Sequence, residues 1–530
     1  MRTQGFSAAV LAACLLAASP IVAAKNFRWS SQGDSSTLDP HSNNEGFNNN
    51  QSNQVYEYLT QRDQEYRIVP WLATSWENVT PTRWIVRLRK DVKFQDGSPF
   101  TADDVVFSYN RARVADSTFK LYSNQAGIPR RIDDHTVEFT TPAPSPVFQE
   151  SISTIMIMSK AWAEKHGAMK PQDFANKENT YASRNQMGTG PFLLVSHQTG
   201  VKTLFKKNPG WWGIKAGRFV GNVETVEYRP IVNAATRMAA MRSGELDFVL
   251  DPPVQDVPKL REEKSLKVWE GNEIRMIFIG MDQARDELTY GDVKGKNPFK
   301  DLRVRKALYQ AIDVNAIRSQ VMRGLSVPTG IPLHDPKGAG IAPELEKRLP
   351  YDPAASRKLL AEAGYPNGFG FTLDCPNDRY INDEKICVAL AGMWARIGVN
   401  TRVTATPKTQ YFQKIQKLDT SAFLLGWGGG ASEAIWLLKP VLHSRNAQGA
   451  GDANYGNFKH PKLDQLIDAI ESEMDTAKRH AMANEAVRLL QDEVLVIPLH
   501  RQVIPWVSKA SVTVVHRPNN LMTPIWVTVK

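Results

Sequence analysis

Hydrophobic positions along the chain switch period several times. Trp84, Val86 and Leu88 alternate with Ile85, Arg87 and Arg89, which predicts a strand with one buried face. Asp96-Gly97 marks a turn, and Thr101 with Asp104 three positions later predicts a capping box that opens a helix through "ADDVVFSYNRAR". "RIDDHTVEFTT" predicts another strand after an Asp-Asp turn. Upstream, residues 27–34 read as the first strand. The Asn-rich stretch "STLDPHSNNEGFNNNQSNQ" reads as a polar loop of the kind that carries contacts on a rigid scaffold, and "NQVYEYL" as the start of a helix.

Further along, one order repeats: capped helix, glycine stop, strand. Asn233 caps "AATRMAAMR" before Gly244 and "ELDFVL"; Asp352 and Pro353 open a helix that ends at Gly364 before "GFTLDC"; "VALAGMWARIG" precedes "VNTRVTAT". "FLLVSHQTG" and "VKTLFKK" read as a hairpin, Asp475 caps the last long helix, and "VLVIPLH" and "PIWVTV" read as closing strands. Repeated units of this kind predict an α/β fold, its sheets flanked by helices.

The N-terminus changes the picture. Arg2 is followed by an uncharged apolar run, Pro20 and the small residues Val22, Ala23 and Ala24. This is the order of a secretory signal over residues 1–24, cleaved after Ala24. "LAAC" offers a rival, lipid-anchored reading at Cys14, but cleavage there would leave a long apolar tail exposed. An exported chain permits disulfides, so Cys375 at the end of "FTLDC" and Cys387 in the following helix are either bridged or two buried thiols. The formal charge of +10 is spread along 530 residues without a basic-aromatic groove, which argues against nucleic acid.

Catalytic signatures are missing. The chain has no GxSxG, HExxH, GxxxxGK[ST] or GxGxxG, and its ten histidines form no i,i+3 or i,i+4 pair. The expectation is a binder, not an enzyme, with no metal and no cofactor. "FLLGWGGG", an apolar run ending in glycines, lacks the Lys and Ser/Thr of a phosphate loop and suits a place where backbone must approach something closely.

Several segments together resemble the periplasmic solute-binding proteins of peptide and nickel ABC importers, bacterial extracellular solute-binding family 5. "LRKDVKFQDGSPFTADDVVFSYNR", "STLDPH", "MGTGPF", "NPGWWG", "AAMRSGELDFV", "PFKDLRVRKALYQAIDVNAI", "KLLAEAGYPNGF", "WARIGV" and "NYGNFKHPKLDQLI" match that family in order. The resemblance implies a two-lobe periplasmic-binding-protein fold (type II, cluster C) with an extra domain inserted in the first lobe. It maps lobe I to 25–55, 187–273 and 501–530, the inserted domain to 56–186, and lobe II to 274–500, with "RMIFIGMD" and "VIPLHRQ" as hinge crossings. It implies a monomer in the periplasm of a Gram-negative cell that captures a peptide or peptide-like solute and delivers it to the transmembrane subunits of an ABC permease. An opine, a sugar or a metal chelate are alternatives on the same fold, and a secreted hydrolase or a chaperone-like protein are alternatives from other classes.

The resemblance also implies site residues. Asn44, Glu45, Gly46 and Phe47 align with the contact loop of lobe I; Arg379 and Tyr380 with a carboxylate-binding wall; Trp427 and Gly428 with the cleft face of lobe II. Three bland readings stand beside these: a solvated Asn-rich loop, an Arg379 bonded to Asp378 or Asp383, and a Trp427 in the core. Where peptide binders of the family carry an amine-pairing Asp, this chain has Gly430; the nearest acid is Glu433, and Glu45 is the candidate substitute. N-terminal sequencing of the exported protein is expected to begin at Lys25, and a mass matching a lipidated Cys14 would overturn both the cleavage site and the unanchored form.

Overall fold

Two long strands, Leu266–Met281 and Ile497–Lys509, lie side by side antiparallel through the middle of the molecule. The computed structural model describes residues 25–174, 176, 178–428, 433–447 and 449–530. Among them, an 11-stranded sheet runs in the order Asn400–Thr406, Gly370–Pro376, Ala422–Trp427, Leu266–Met281, Ile497–Lys509, Phe248–Val249, Asn26–Ser31, Thr225–Pro230, Lys202–Lys207, Phe192–Gln198, with Ser326–Pro328 added on Ile497–Lys509. The two long strands are thus the only members shared by both halves of this sheet. Their ladder is regular from Leu266↔Lys509 to Asn272↔Val503, breaks, and resumes at Met276↔Arg501. A second shift follows Ile277↔His500, where Pro498 has no N–H to give.

In one half, Gly370–Pro376 pairs in parallel with both Asn400–Thr406 and Ala422–Trp427. Helices Asp383–Ala395 and Lys408–Gln416 provide the crossovers, as parallel pairing demands. Alternation sorts the side chains: Phe278, Phe423 and Leu425 pack on one face with Leu438 and Ile467, while Ile277, Ile279, Leu424 and Leu373 pack on the other with Ile386, Leu390 and Trp394. Each such side chain, buried completely, contributes roughly 1.5–3 kcal/mol before entropy is counted.

The other half shares its core with an antiparallel sheet of Ala73–Thr80, Arg83–Leu88, Thr136–Thr140 and Ile128–Asp133. Phe27 and Tyr228 belong to the same apolar cluster as Trp84, Val86 and Phe139. The expected capping box is present, with the Asp104 carboxylate accepting from the Thr101 N–H at 2.9 Å. At the other end of that helix, Arg111 grips Asp39 of the "STLDPH" segment through two hydrogen bonds of 2.7 and 2.6 Å, both side chains fully buried. Asp39 also accepts from the N–H groups of His41 and Gln172.

Two expectations from the sequence are corrected. The helix near residue 50 covers Gly46–Ser52, the Asn-rich stretch expected to be a loop, and "NQVYEYL" is not helical. Tertiary hydrogen bonds override the weak helix propensity of Asn: Asn48 donates to the Asn43 carbonyl, and Asn50 exchanges hydrogen bonds with the backbone of Asn520 and Met522. "PIWVTV" forms a 3₁₀ turn at Pro524–Trp526 and only a two-residue strand, Thr528–Val529, because Ile525 and Trp526 turn inward to the shared core.

Burial alone would raise the Asp39 carboxyl, but the charge of Arg111 and its hydrogen bonds overcome that and hold it below the usual carboxylate value. The pair therefore stabilises the fold above about pH 4, the ordinary Asp range, and that contribution fades on acidification. Asp39→Ala leaves Arg111 buried and unpaired, and is expected to cost about 3–5 kcal/mol, read as a lower midpoint in urea at pH 7. A change below 1 kcal/mol would contradict this account.

Candidate functional site

The break in the crossing ladder is where the chemistry gathers. Glu273, Ile274 and Arg275 fall in the gap. The Glu273 carboxylate, nearly buried, accepts from Gln502 of the facing strand and from Arg275 Nε at 3.1 Å. The Gln502 carbonyl oxygen accepts in turn from the Ile381 N–H at 3.2 Å. One amide side chain thus joins both crossing strands to the loop that carries Arg379 and Tyr380.

That loop leaves the C-terminal end of the parallel strand Gly370–Pro376, the edge at which open α/β sheets bind ligands. It enters helix Asp383–Ala395 through Asn382, a non-glycine residue at φ +55° whose side-chain amide donates to the Val321 carbonyl. The Asp383 carboxylate accepts from the N–H groups of Arg379 and Tyr380 at 2.9 and 3.0 Å, and Asp378 accepts from the Lys408 N–H at 2.6 Å. Both neighbouring acids are therefore engaged by backbone. The Arg379 guanidinium, exposed at the surface, has no carboxylate partner among the described residues; it lies 5.1 Å from the centre of the Tyr380 ring, and Arg275 lies 5.7 Å from the same ring. Surrounding protein, then the like charge of Arg275, lowers the Arg379 pKa. Two guanidiniums on one aromatic ring make a wall suited to carboxylate.

Tyr380 itself is buried, its hydroxyl donating to the Gly426 carbonyl at 3.2 Å. It acts as the ring under the two arginines, and its hydroxyl is already used. A Cβ at Gly426 would strike this ring, and one at Gly428 would strike the Ile274 carbonyl oxygen. The glycines after "FLL" thus admit Tyr380 and the hinge backbone. Trp427 is half-buried, packs at the edge of the Phe423–Leu425 core, and donates its indole N–H to the Trp436 carbonyl at 2.9 Å. Trp436 donates to Glu150 at 2.9 Å, a contact between the segment after the glycine run and the domain of the four-stranded sheet. Gly430 lies outside the described residues. Glu433 is held by Arg479 at 2.7 Å with both side chains largely buried, so it is committed within the protein.

Residues 44–47 form a separate group. Glu45 caps helix Gly46–Ser52 with one carboxylate oxygen, accepting from the Phe47 N–H at 2.8 Å. Asn44 accepts from Asn49 and donates its backbone N–H to Thr118. The Phe47 ring lies over Gly33, and Gly46 is open to solvent. No hydrogen bond or ion pair among the described residues joins this loop to Arg379, Tyr380, Trp427 or Gly428. Glu273, Arg275 and Gln502 were not expected from the sequence. The one local sign is that "NEIR" sets two charges just before the apolar run "MIFIGM", midway along the strand Leu266–Met281.

Comparison with known proteins bears on this geometry. The model of bacterial extracellular solute-binding proteins, family 5 Middle, matches residues 67–449. A glutathione-binding protein, GsiB, of Pectobacterium atrosepticum is 26% identical over 523 residues, 97% of this chain and 93% of that one. Among solved structures, HbpA2 of Haemophilus parasuis superposes with a TM-score of 0.80 at 22% identity, covering 96% of this chain and 100% of its own. The periplasmic binding protein DppA of Helicobacter pylori, in complex with the peptide STSA, gives 0.75 at 21% identity, covering 96% and 98%.

The loop with Arg379 is also held at its base. Cys375 and Cys387 are both fully buried, and the structure joins them as a disulfide with Cα atoms 6.7 Å apart across 12 positions. Such a short closed loop contributes roughly 3 kcal/mol in the chain-entropy account. Thiol titration of the denatured, unreduced chain from Lys25 onward is expected to find none free. Cys375→Ser with Cys387→Ser is expected to lower the thermal midpoint. Two free thiols would remove the bridge.

Proposed function

Since this chain belongs to the bacterial extracellular solute-binding proteins of family 5, we propose that it is the periplasmic capture subunit of an ABC importer, and that its solute is peptide-like and bears a carboxylate. The observation that carries the reading is the unpaired Arg379 guanidinium in the wall formed with Tyr380 and Arg275, at the break in the crossing strands. The division expected from the sequence serves the mechanism: residues 25–55, 187–273 and 501–530 as lobe I, 56–186 as the inserted domain, 274–500 as lobe II. The solute carboxylate docks on Arg379, with Arg275 behind it for a second acidic group. The exposed face of Trp427 takes an apolar portion. Glu45, whose Oε2 caps its helix, offers Oε1 to an amine. Asn44, Gly46 and Phe47 complete the wall on lobe I. Rotation about the interrupted ladder then buries the solute, and the closed outline is what the permease reads. Binding proceeds without covalent chemistry, by one monomer on one solute. Glutathione, named for the relatives, is a solute of this chemistry: a tripeptide with two carboxylates and one amine.

No helix of the described residues is long and apolar enough to cross a membrane, which accords with release into the periplasm. Mass spectrometry of small molecules freed from the denatured protein identifies the solute, and isothermal titration measures it. Arg379→Ala is expected to weaken binding by about 100-fold or more, at about 1.4 kcal/mol per tenfold; Trp427→Ala weakens it without regard to ligand charge. Glu45→Gln lowers affinity for amine-bearing solutes and spares amine-blocked ones. Unchanged affinity in Arg379→Ala would sink the carboxylate reading in favour of a neutral solute.

A further inference from the structure

A cavity of about 180 Å³ lies past the C-terminal end of helix Gly46–Ser52, whose N-terminal end carries Glu45, between the C-terminal segment and the residues that follow that helix. Its walls come from residues 53–71, 153, 191 and 517–526, and none from lobe II. It is therefore distinct from the wall of Arg379 and Tyr380.

The chemistry of this cavity is set by Arg517. The residue is only 4% exposed. One terminal nitrogen donates to the carbonyls of Arg62 and Asp63, both at 3.1 Å. The guanidinium lies 5.3 Å from the Tyr66 ring centre and 4.9 Å from that of Trp526. No carboxylate comes within ion-pair distance of it among the described residues: Asp63 is bonded through its side chain to Arg67, and Glu57, which also lines the cavity, accepts from the indole N–H groups of Trp71, Trp211 and Trp212. Arg62 is stacked at 4.7 Å on the same Tyr66 ring, and its own guanidinium is paired with the buried Glu150 carboxylate at 3.6 Å. Burial, with Arg62 adding to it, pulls Arg517 down to about 10, so it stays charged at neutral pH.

A buried charge without a counter-ion is costly, and proteins pair such charges. Arg62 is already answered by Glu150, so Arg517 is the cation left without a carboxylate, and the open space adjoins it. Tyr58, Tyr66, Trp71 and Trp526 supply flat aromatic walls. An apolar cavity of about 150 Å³ holds a benzene ring, so this space admits a carboxylate on a ring of that size. We propose that the cavity is a second ligand site, selective for small organic carboxylates with a flat apolar body, in which Arg517 takes the carboxylate and the aromatic rings take the body. It goes beyond solute capture in the cleft and does not depend on it.

Benzoate is the probe. Titration calorimetry on the whole chain from Lys25 is expected to show saturable binding to the wild type. Arg379→Ala keeps that binding, because the cleft is not involved. Arg517→Met weakens it by about tenfold or more, as loss of a charge-assisted hydrogen bond implies. Crystals grown with 4-bromobenzoate are expected to show an anomalous bromine peak inside this cavity, at the end of the ligand ring away from Arg517. Three results overturn the proposal: no saturable binding to the wild type; binding lost in Arg379→Ala and kept in Arg517→Met, which places the anion in the cleft; or bromine found elsewhere or nowhere. If Arg517→Met does not fold, the bromine position decides alone. A failed carboxylate reading of the cleft shows instead in the transported solute's response to Arg379→Ala, which leaves the benzoate result untouched.

Discussion

Among the described residues, the two halves of the molecule share one sheet, and they share it through two strands. A continuous ladder would make that sheet a single stiff body, because each backbone hydrogen bond contributes about 1 kcal/mol and neighbouring bonds align one another. Between Asn272 and Met276 the ladder is missing. Under the proposed lobe closure, rotation of one half against the other falls there, where few backbone bonds need to change. What fills the gap is side-chain chemistry. Glu273 accepts from Gln502 and Arg275, and Gln502 accepts from the loop after Pro376. Side-chain bonds can swing where ladder bonds cannot, so the point of flexure and the ligand wall are built from the same few residues.

Flexure at one place is useful only if the rest is rigid. The four-stranded sheet could have been a loosely tethered appendage. It shares an apolar core with Phe27, Tyr228 and Trp506, and the buried Asp39–Arg111 pair locks the loop before the Asn-rich helix to the helix of Asp104. Glu57 adds a third tie. Burial raises its carboxyl to about 7, and three indole N–H groups from distant parts of the chain converge on it. These polar groups are expensive to bury singly, and together they admit few alternative arrangements. Residues 44–47 ride on this framework.

Much of the fold was legible in the sequence because its local signals agreed with the final structure. The Trp84–Leu88 alternation, the Thr101–Asp104 box and the caps at Asn233, Asp352 and Asp475 all lie where pattern and propensity place them. The helix at Gly46–Ser52 was not legible, because its stability comes from Asn520 and Met522, some 470 residues away. The candidate site was legible only in part. Position along the chain singled out Arg379 and Trp427 as candidates, but only the fold shows that Asp378 and Asp383 are occupied by backbone N–H groups, or that Gly428 is small because the Ile274 carbonyl presses on it. Arg275 and Gln502 matter through a register break, and no local pattern reports a register break in advance.

Charge pairing then separates the cations committed within the protein from those assigned to the proposed sites. Arg83 and Arg130 meet Glu138, Arg479 meets Glu433, and Arg501 meets Glu346. Those arginines are satisfied inside the protein and offer a ligand little. Arg379 and Arg517 differ: one at the surface and one buried, each beside an aromatic ring and neither with a carboxylate in ion-pair distance among the described residues, while the second arginine on each ring is paired, Arg275 with Glu273 and Arg62 with Glu150. An acid placed nearby would have stabilised the chain at little cost in sequence. Its absence leaves a positive field that a bound anion can answer, and it falls on walls that already hold flat apolar surface. In a protein that has to release what it binds, that division is sound. The fold draws its stability from charges paired within it, and the sites keep theirs unpaired until the ligand arrives.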